Sequence, residues 1–175
     1  MSAVLVEDRD AMQELGERLA AALRPGDLVV LSGGLGAGKT TLAQGIGRGL
    51  RVRGAVTSPT FVIARVHPST NGGPALVHVD AYRLSSLDEV DDLDLDASLE
   101  SSVTVVEWGE GKVEGLAQDR LLVRIDRPVG GAGGDRADAA SSDVDEPRTV
   151  TVTVVGPRWA DVELAPLLGV AGASS

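Results

Sequence analysis

A lysine and a threonine directly behind a run of glycines are the residues of this sequence whose spacing most directly indicates chemistry. Gly33, Gly38, Lys39 and Thr40 occupy the fixed positions of the pattern G-x-x-x-x-G-K-[ST]. Glycines let backbone N–H groups turn inward around phosphate oxygens, because no Cβ blocks the approach. The lysine would reach the outer phosphates of a nucleotide, and the threonine hydroxyl would hold Mg²⁺. The stretch therefore predicts a phosphate-binding loop.

The segments on both sides of this loop fit that interpretation. Residues 28–31 form a short apolar run bounded by glycines, which predicts a buried strand, and Leu42, Ile46 and Leu50 recur at helical spacing. The beginning of that helix adds unpaired N–H groups and a partial positive charge that favour phosphate. A glycine-rich turn with a chance lysine is the alternative. The order of strand, glycine loop and helix favours the phosphate loop.

Two carboxylates follow apolar runs elsewhere in the chain. Asp80 comes after residues 75–79, and Glu107 comes after residues 103–106. In phosphate-loop folds, an acid at the end of a strand beside the loop holds Mg²⁺ or orients the attacking water. We expect both acids at the carboxyl edge of the sheet if their strands run parallel to the loop strand. Alternatively, each acid caps the turn that follows it.

The composition of the 175-residue chain excludes several classes of protein. It contains no cysteine, which excludes disulfides and thiolate zinc sites. No apolar run resembles a signal peptide or is long enough to span a membrane, so we expect a soluble cytoplasmic protein. The formal net charge of -10 argues against a chain that holds DNA or tRNA by itself. The acidic stretch 86–114 indicates either a solvated face or a docking surface for a basic partner.

The remaining pattern predicts a single α/β domain over residues 1–168, followed by a loose tail at 169–175. Further strands are predicted at 4–6, 61–66, 75–79, 103–106, 121–125 and 150–155. Further helices are predicted at 12–23, from Ser86, over 96–100, and from Trp159 to Leu168. Asp8 or Asp10 can cap the first helix. The small and polar residues of 127–147 predict a flexible insertion between the last two strands.

Two features of this pattern concern packing. The strands at 61–66 and 75–79 are joined by a short glycine-containing loop, which predicts an antiparallel hairpin and therefore a mixed sheet. Gly45, Gly47 and Gly49 lie within the phosphate-loop helix, where each costs about 1 kcal/mol relative to alanine. We expect close packing against the sheet to offset that cost.

Other markers separate the classes of nucleotide enzyme. A GTPase would need a guanine-reading N-K-x-D segment, and neither lysine has such neighbours. A small-metabolite kinase usually needs an arginine-rich lid, whereas Arg51, Arg53, Arg65 and Arg83 are scattered. The kinase therefore stays open as an alternative to an ATPase. A nucleotide-binding adaptor that does not hydrolyse ATP is the other alternative.

Four motifs, in this order, resemble the TsaE (YjeE) family of small bacterial ATPases. They are the glycine loop at 33–41, Ser58-Pro59-Thr60-Phe61, His78-Val79-Asp80-Ala81-Tyr82-Arg83-Leu84 and Val106-Glu107-Trp108. The similarity covers about residues 4–125. It implies a phosphate-loop NTPase fold, with helices flanking a mixed sheet that contains an antiparallel hairpin. It further implies Mg²⁺-dependent ATP hydrolysis in making threonylcarbamoyladenosine beside the tRNA anticodon. The implied partners are TsaD, the transferase, and TsaB, with tRNA reached only through them.

The resemblance also assigns roles to individual residues. The candidate phosphate-binding residues are Gly33, Leu35, Gly36, Ala37, Gly38, Lys39, Thr40 and Thr41. Thr40 and Glu107 would bind Mg²⁺, with Asp80 as a catalytic or metal-organising carboxylate, so Lys39, Asp80 and Glu107 are the candidate catalytic residues. Trp108 and Glu110 would lie beside the nucleotide, Arg9 would border the adenine, and Arg148 would approach the phosphates. Residues 58–60 resemble a switch segment near the γ-phosphate. The chain departs from the family at Gly34, often an aspartate, and in the 127–147 insertion.

Overall fold

A computed structural model describes residues 1–57, 64–82, 100–127 and 146–169 of the chain. The described elements are β1 (Ser2–Val6), α1 (Arg9–Ala20), β2 (Leu28–Ser32), α2 (Lys39–Gly49), β3 (Ala64–His67), β4 (Ala75–Asp80), β5 (Ser102–Glu107), β6 (Arg120–Asp126), β7 (Arg148–Val155), a 3₁₀ turn (Pro157–Trp159) and α3 (Leu164–Leu168). Several predicted features lie outside the described residues. They are the switch-like segment, strand residues 61–63, the helices near 86–89 and 96–99, positions 128–145 of the insertion and the tail beyond 169.

The described strands form one mixed sheet in the order β1-β7-β6-β2-β5-β4-β3. The central strands β6, β2, β5 and β4 run parallel to one another, whereas β1, β7 and β3 run antiparallel to their neighbours. In the β3–β4 pair, Ala64 lies opposite Val79 and His67 lies opposite Leu76. The predicted antiparallel hairpin is therefore confirmed, and β2 stands in the middle of the parallel part.

Strand β2 is covered on both faces, which explains its continuous apolar run. Val29 and Leu31 belong to the larger core cluster, which includes the buried faces of α1 and α2. Leu28 and Val30 belong to a second cluster on the opposite face, together with Val113 from the loop after β5. Alternate residues of a strand point to opposite faces, so four consecutive residues of β2 contribute to both clusters. The loop that follows β2 consequently begins at the centre of the fold.

Helices α1 and α2 approach so closely that a side chain does not fit at their contact. A Cβ placed on Gly45 would lie 2.1 Å from the carbonyl oxygen of Gln13, and one on Gly49 would lie 2.5 Å from a methyl carbon of α1. The expectation that these glycines pack against the sheet is therefore wrong for Gly45 and Gly49, which face α1. At Gly47 an added Cβ would lie 2.7 Å from Val56, in the segment after α2, and 3.4 Å from Leu76 of β4, so the expectation is met only in part.

The boundaries of the elements agree with the sequence patterns at most places. The predicted strands at 4–6, 28–31, 75–79, 103–106, 121–125 and 150–155 are confirmed, each extended by one or more residues. The cap of α1 is Asp8, whose carboxylate accepts a hydrogen bond of 2.7 Å from the backbone N–H of Ala11. In the described ranges, none of the helices is long and apolar enough to cross a lipid bilayer.

The C-terminal segment differs from the single helix predicted over Trp159–Leu168. A 3₁₀ turn ends at Trp159, whose ring is buried, and a separate helix α3 begins at Leu164. A continuous helix would place Pro166 in its interior, where proline removes a hydrogen bond and clashes with the carbonyl four residues earlier. Because α3 begins at Leu164, Pro166 lies in the first turn, where the backbone N–H needs no helical partner.

Candidate nucleotide-binding site

The loop 33–38 joins β2 to α2 through backbone conformations that suit glycine. Gly33 has a φ of 143° and Gly38 a φ of 109°, in the region that residues with a side chain rarely adopt. A Cβ on Gly33 would also lie 2.4 Å from the carbonyl oxygen of Ile125, so the backbone of β6 closes one side of the turn. Gly38 caps α2 without a side chain, which leaves N–H groups of the first helical turn available to an anion.

The side chain of Lys39 is buried and folds back over this loop. Its ammonium group donates to the carbonyl oxygens of Gly33 and Gly34, at 2.8 and 2.9 Å. Burial lowers the pKa of Lys39, and the nearby carboxylates of Glu107 and Asp80 act in the opposite direction. The ammonium is thus held by two neutral carbonyls, and a phosphate oxygen would be a stronger, charged acceptor at the same place.

Trp108 covers the ammonium of Lys39 from the end of β5. The nitrogen lies 3.7 Å from the centroid of the indole ring, a cation–π contact. Trp108 has a φ of 60°, which is unusual for a bulky residue. The ring of Tyr82 packs edge-on against it, with centroids 5.2 Å apart. Residues in such strained conformations persist where their surroundings fix them and are concentrated at functional sites.

Asp80 and Glu107 are register partners at the ends of the neighbouring parallel strands β4 and β5. The carboxylate of Glu107 is buried, and both of its oxygens accept from the Thr40 hydroxyl, at 2.9 and 3.1 Å. Asp80 instead accepts from the backbone N–H of Tyr82, at 3.0 Å. Of the two acids, only Glu107 contacts the threonine of the phosphate loop in the described structure.

His78 completes this group, although the sequence analysis assigned it no role. It is fully buried in β4, and its Nε2 lies 2.9 Å from Oε1 of Glu107. Its Nδ1 has no hydrogen-bond partner in the described part of the chain. The signal that could have identified it is a titratable side chain inside an apolar strand, two residues before the strand-end acid Asp80.

The oxygens of Thr40 and Glu107 suit a Mg²⁺ ion whose other ligands include phosphate oxygens. Mg²⁺ takes oxygen ligands and is usually held by one or two carboxylates together with substrate phosphates and water. Over the ranges that the structure covers, no three His, Cys, Asp or Glu side chains form a metal-binding group of their own. The residues therefore fit an ion that binds together with a nucleotide.

A comparison with protein-family models matches residues 6–131 to the description "Threonylcarbamoyl adenosine biosynthesis protein TsaE". The chain belongs to the TsaE family. The matched range includes the glycine loop, both strand-end acids and Trp108.

Curated relatives agree with that assignment, and each of the following is named tRNA threonylcarbamoyladenosine biosynthesis protein TsaE. The Streptomyces coelicolor protein is 66% identical over 159 residues, which cover 90% of this chain and 100% of the relative. The Mycobacterium tuberculosis protein is 57% identical over 120 residues, covering 65% of this chain and 71% of the relative. The Bacillus subtilis protein is 39% identical over 141 residues, covering 80% and 77%.

A solved structure supports the fold of this TsaE-family chain. The crystal structure of Bacillus subtilis YdiB superposes with a TM-score of 0.65 at 29% sequence identity. The match covers 96% of this chain and 93% of that one. The mixed sheet with flanking helices is therefore a phosphate-loop NTPase-like fold, as the sequence predicts.

The other residues that the TsaE resemblance places around the nucleotide are more dispersed. Arg9 is exposed at the first residue of α1, and Glu110 is exposed in the turn after β5. Arg148 begins β7 and forms an ion pair of 3.8 Å with Glu146. In the described residues, direct contacts join Lys39 to Trp108 and Thr40 to Glu107, and none of these contacts involves the three outlying residues.

The tip of the loop shows a further contact of this TsaE-family site. Leu35 is exposed there and Ala37 is buried, while Thr41 lies half-buried as the third residue of α2. The carbonyl oxygen of Gly36 accepts a hydrogen bond of 2.9 Å from the guanidinium of Arg127, just beyond β6. The sequence analysis did not single out Arg127, because no spacing links it to the loop.

Proposed function

We propose that this chain binds ATP with Mg²⁺ and hydrolyses it, and that this activity supports the threonylcarbamoyladenosine modification of tRNA. The observation that carries the ATPase proposal is the contact between the Thr40 hydroxyl and the buried Glu107 carboxylate, directly beside Lys39. The tRNA role rests on membership of the TsaE family and on the names of the curated relatives.

Binding of the triphosphate would use the loop and its helix. The N–H groups of residues 33–41 and the N-terminus of α2 offer donors and partial positive charge to phosphate oxygens. Lys39 would exchange the carbonyls of Gly33 and Gly34 for the outer phosphates, which are charged acceptors. Trp108, Glu110, Arg9 and Arg148 are proposed to border the nucleotide more loosely.

Hydrolysis would use the strand-end acids. Thr40 and Glu107 would hold Mg²⁺, which would supply positive charge to neutralise the outer phosphates. Asp80 would orient the attacking water, because it ends the strand next to β5 and lies in register with Glu107. Lys39 and the loop amides would stabilise the negative charge that builds on the transferred phosphoryl group. Release of phosphate would then free the loop for another cycle.

The proposed partners are a TsaD–TsaB complex, which would carry out the transfer to tRNA in the cytoplasm. The formal net charge of -10 gives this chain little attraction for tRNA phosphates, so we propose that it reaches tRNA only through these partners. Its acidic residues between 86 and 114 are a candidate docking region, and six of these ten residues lie outside the described part of the chain.

The test is phosphate release from ATP and Mg²⁺, measured with and without purified TsaD, TsaB and tRNA. We expect Lys39→Ala to reduce turnover by about 10²–10³-fold while the far-ultraviolet circular dichroism spectrum is kept, because a charge-stabilising donor is removed. Asp161→Ala is the control, since Asp161 is exposed and follows the 3₁₀ turn after β7, whose last residue pairs with the first residue of β6, away from the strand-end acids. Undiminished ATPase activity of Lys39→Ala with its partners present would refute the proposal.

The two acids are tested by comparing turnover with affinity. We expect Asp80→Ala and Glu107→Ala to lose more in hydrolysis than in binding of a non-hydrolysable ATP analogue, because their contacts strengthen in the transition state. Equal losses in both quantities would make them simple binding groups.

The same assay separates the alternatives that the sequence left open. A metabolite kinase would consume ATP only after a small acceptor is added and would yield a phosphorylated product. A non-hydrolysing adaptor would bind ATP stably in the presence of its partners and release no phosphate.

A further inference from the structure

We propose that His78 is a positioning residue that fixes the Glu107 carboxylate in the orientation needed to bind Mg²⁺ together with Thr40. This inference rests on the proposed function and deepens it. It assigns a role to a buried group that the hydrolysis scheme above does not use.

His78 directly contacts Glu107, the proposed metal ligand. Its Nε2 lies 2.9 Å from Oε1 of Glu107, and the Thr40 hydroxyl donates to the same oxygen at 2.9 Å and to Oε2 at 3.1 Å. A metal-binding carboxylate only accepts hydrogen bonds, so Nε2 must carry the ring proton and donate it. Glu107 is therefore held at two points, one on α2 and one on β4.

The alternation of the strands explains why these groups meet. Val77 and Val79 of β4 pack into the cluster on the face away from the helices, so His78 points to the opposite face. On β5, Val103 and Val105 belong to the cluster on the helix side, and Glu107 continues that series. Because β4 and β5 are paired in parallel, His78 and Glu107 share the face on which α2 lies.

A purely structural role explains His78 poorly. The side chain is 0% exposed and lies between two valines of the strand, and its Nδ1 has no partner in the described part of the chain. A buried polar atom without a partner is costly, and an aliphatic side chain would avoid that cost. Within the described ranges, the one hydrogen bond that the ring makes is directed at Glu107.

Outer partners of metal ligands orient those ligands, and their removal typically costs 10–100-fold in metal affinity or activity. Without His78, the Glu107 carboxylate would keep only the Thr40 hydroxyl among its described side-chain donors, and that hydroxyl is itself proposed to turn to the metal. We therefore expect the Glu107 carboxylate to lose its fixed orientation when the metal binds. This loss should weaken metal binding and leave the phosphate contacts of the loop intact.

The experiment uses electron paramagnetic resonance to measure the affinity of the full chain, in the presence of ADP, for Mn²⁺. This ion is a paramagnetic substitute for Mg²⁺. We expect His78→Phe to weaken Mn²⁺ binding by about 10–100-fold, while ADP affinity without a divalent ion changes less than about twofold. His78→Gln places an amide N–H near the position of Nε2 and should recover most of the affinity. His78→Asn is shorter, should not reach, and should resemble His78→Phe.

The matched control is the other histidine of the chain. His67 is buried on β3, and it lies opposite Leu76 rather than beside Glu107. We expect His67→Phe to keep the Mn²⁺ affinity of the unchanged protein. In the hydrolysis assay, His78→Phe should raise the Mg²⁺ concentration that gives half-maximal rate, and His67→Phe should not.

Two outcomes would overturn the inference. Equal Mn²⁺ affinities in the unchanged protein and His78→Phe would remove the positioning role. Equal behaviour of His78→Gln and His78→Asn would show that reach to Glu107 does not matter, and this comparison remains available if the phenylalanine variant does not fold. Neither readout needs turnover, so a protein that binds Mn²⁺–ADP but never hydrolyses ATP would count against the proposed function alone.

Discussion

The ammonium nitrogen of Lys39 lies 3.7 Å from the centre of the indole ring of Trp108. Lys39 begins the helix after the phosphate loop, whereas Trp108 directly follows the strand-end acid Glu107. The contact therefore joins the proposed phosphate-binding and metal-binding halves of the site. A nucleotide that draws the lysine toward its phosphates must weaken the contact with the ring, so Trp108 should report on binding.

Tryptophan fluorescence tests this coupling. The chain has two tryptophans, and Trp159 is buried beside Arg158, with the guanidinium carbon 4.4 Å from the ring centroid. In a Trp159→Phe variant, we expect ATP or ADP with Mg²⁺ to change the emission of Trp108, because the cation over its ring moves. The same variant carrying Lys39→Met should begin with altered emission and show no further change. An unchanged signal at nucleotide concentrations that calorimetry shows to be saturating would contradict this prediction.

The positive φ of Trp108 makes a separate prediction about stability. At a φ of 60°, glycine is unstrained, whereas a residue with a Cβ pays about 1–2 kcal/mol. We expect Trp108→Gly to have a free energy of unfolding about 1 kcal/mol higher than Trp108→Ala, although both lose the indole contacts. In most positions glycine is the less stable of the two. Urea denaturation of both variants measures the difference, and the usual order would show that the backbone is not strained.

The close contact of α1 and α2 predicts that alanine is destabilising at Gly45. Helix propensity alone would make Gly45→Ala more stable by about 1 kcal/mol. The added methyl group would lie 2.1 Å from the carbonyl oxygen of Gln13, so we expect a net loss of about 1–3 kcal/mol from overpacking. Gly115→Ala is the control, because a Cβ there meets nothing within 4 Å. Thermal or urea unfolding that shows Gly45→Ala as stable as the unchanged protein would contradict the close packing.

A buried ion pair predicts a pH dependence of stability. Asp27 is 3% exposed, and its carboxylate accepts from the Arg24 backbone N–H at 2.7 Å and from the Arg158 guanidinium at 3.0 Å. Burial raises the pKa of Asp27, although these two donors act against the shift. The folded state therefore binds the proton more tightly than the unfolded state, so this group destabilises the fold as pH rises through its folded pKa.

Asp27→Asn removes this titration while it keeps a hydrogen-bond acceptor. We expect the free energy of unfolding of the unchanged protein, minus that of Asp27→Asn, to fall as pH rises from about 4 toward neutrality, since the ordinary aspartate pKa is about 3.9. Urea denaturation of both proteins over this range measures the difference. A difference that grows with pH would mean that the pair with Arg158 outweighs the cost of burial.

Several features of the site could be predicted because they depend on neighbouring residues. Gly33, Gly38, Lys39 and Thr40 follow one another at fixed spacing, and the turn they form is set by which residues can adopt its backbone angles. The apolar runs before Asp80 and Glu107 likewise predicted strands and placed both acids at strand ends. The packing of Gly45 and Gly49 could not be predicted, because helical spacing does not show whether a face meets a sheet or another helix.

The sequence by itself determined the phosphate loop, the strand-end acids and the resemblance to the TsaE family, because local backbone chemistry and the order of motifs are written along the chain. Only the tertiary structure decided which acid meets the loop. Strand β5 pairs directly with β2, whereas β4 is one strand farther away, so Thr40 contacts Glu107 and not Asp80. The same order of strands brings His78 into contact with Glu107 and places Trp108 over Lys39. Strand order depends on contacts between residues far apart in sequence, and no local spacing encodes those contacts.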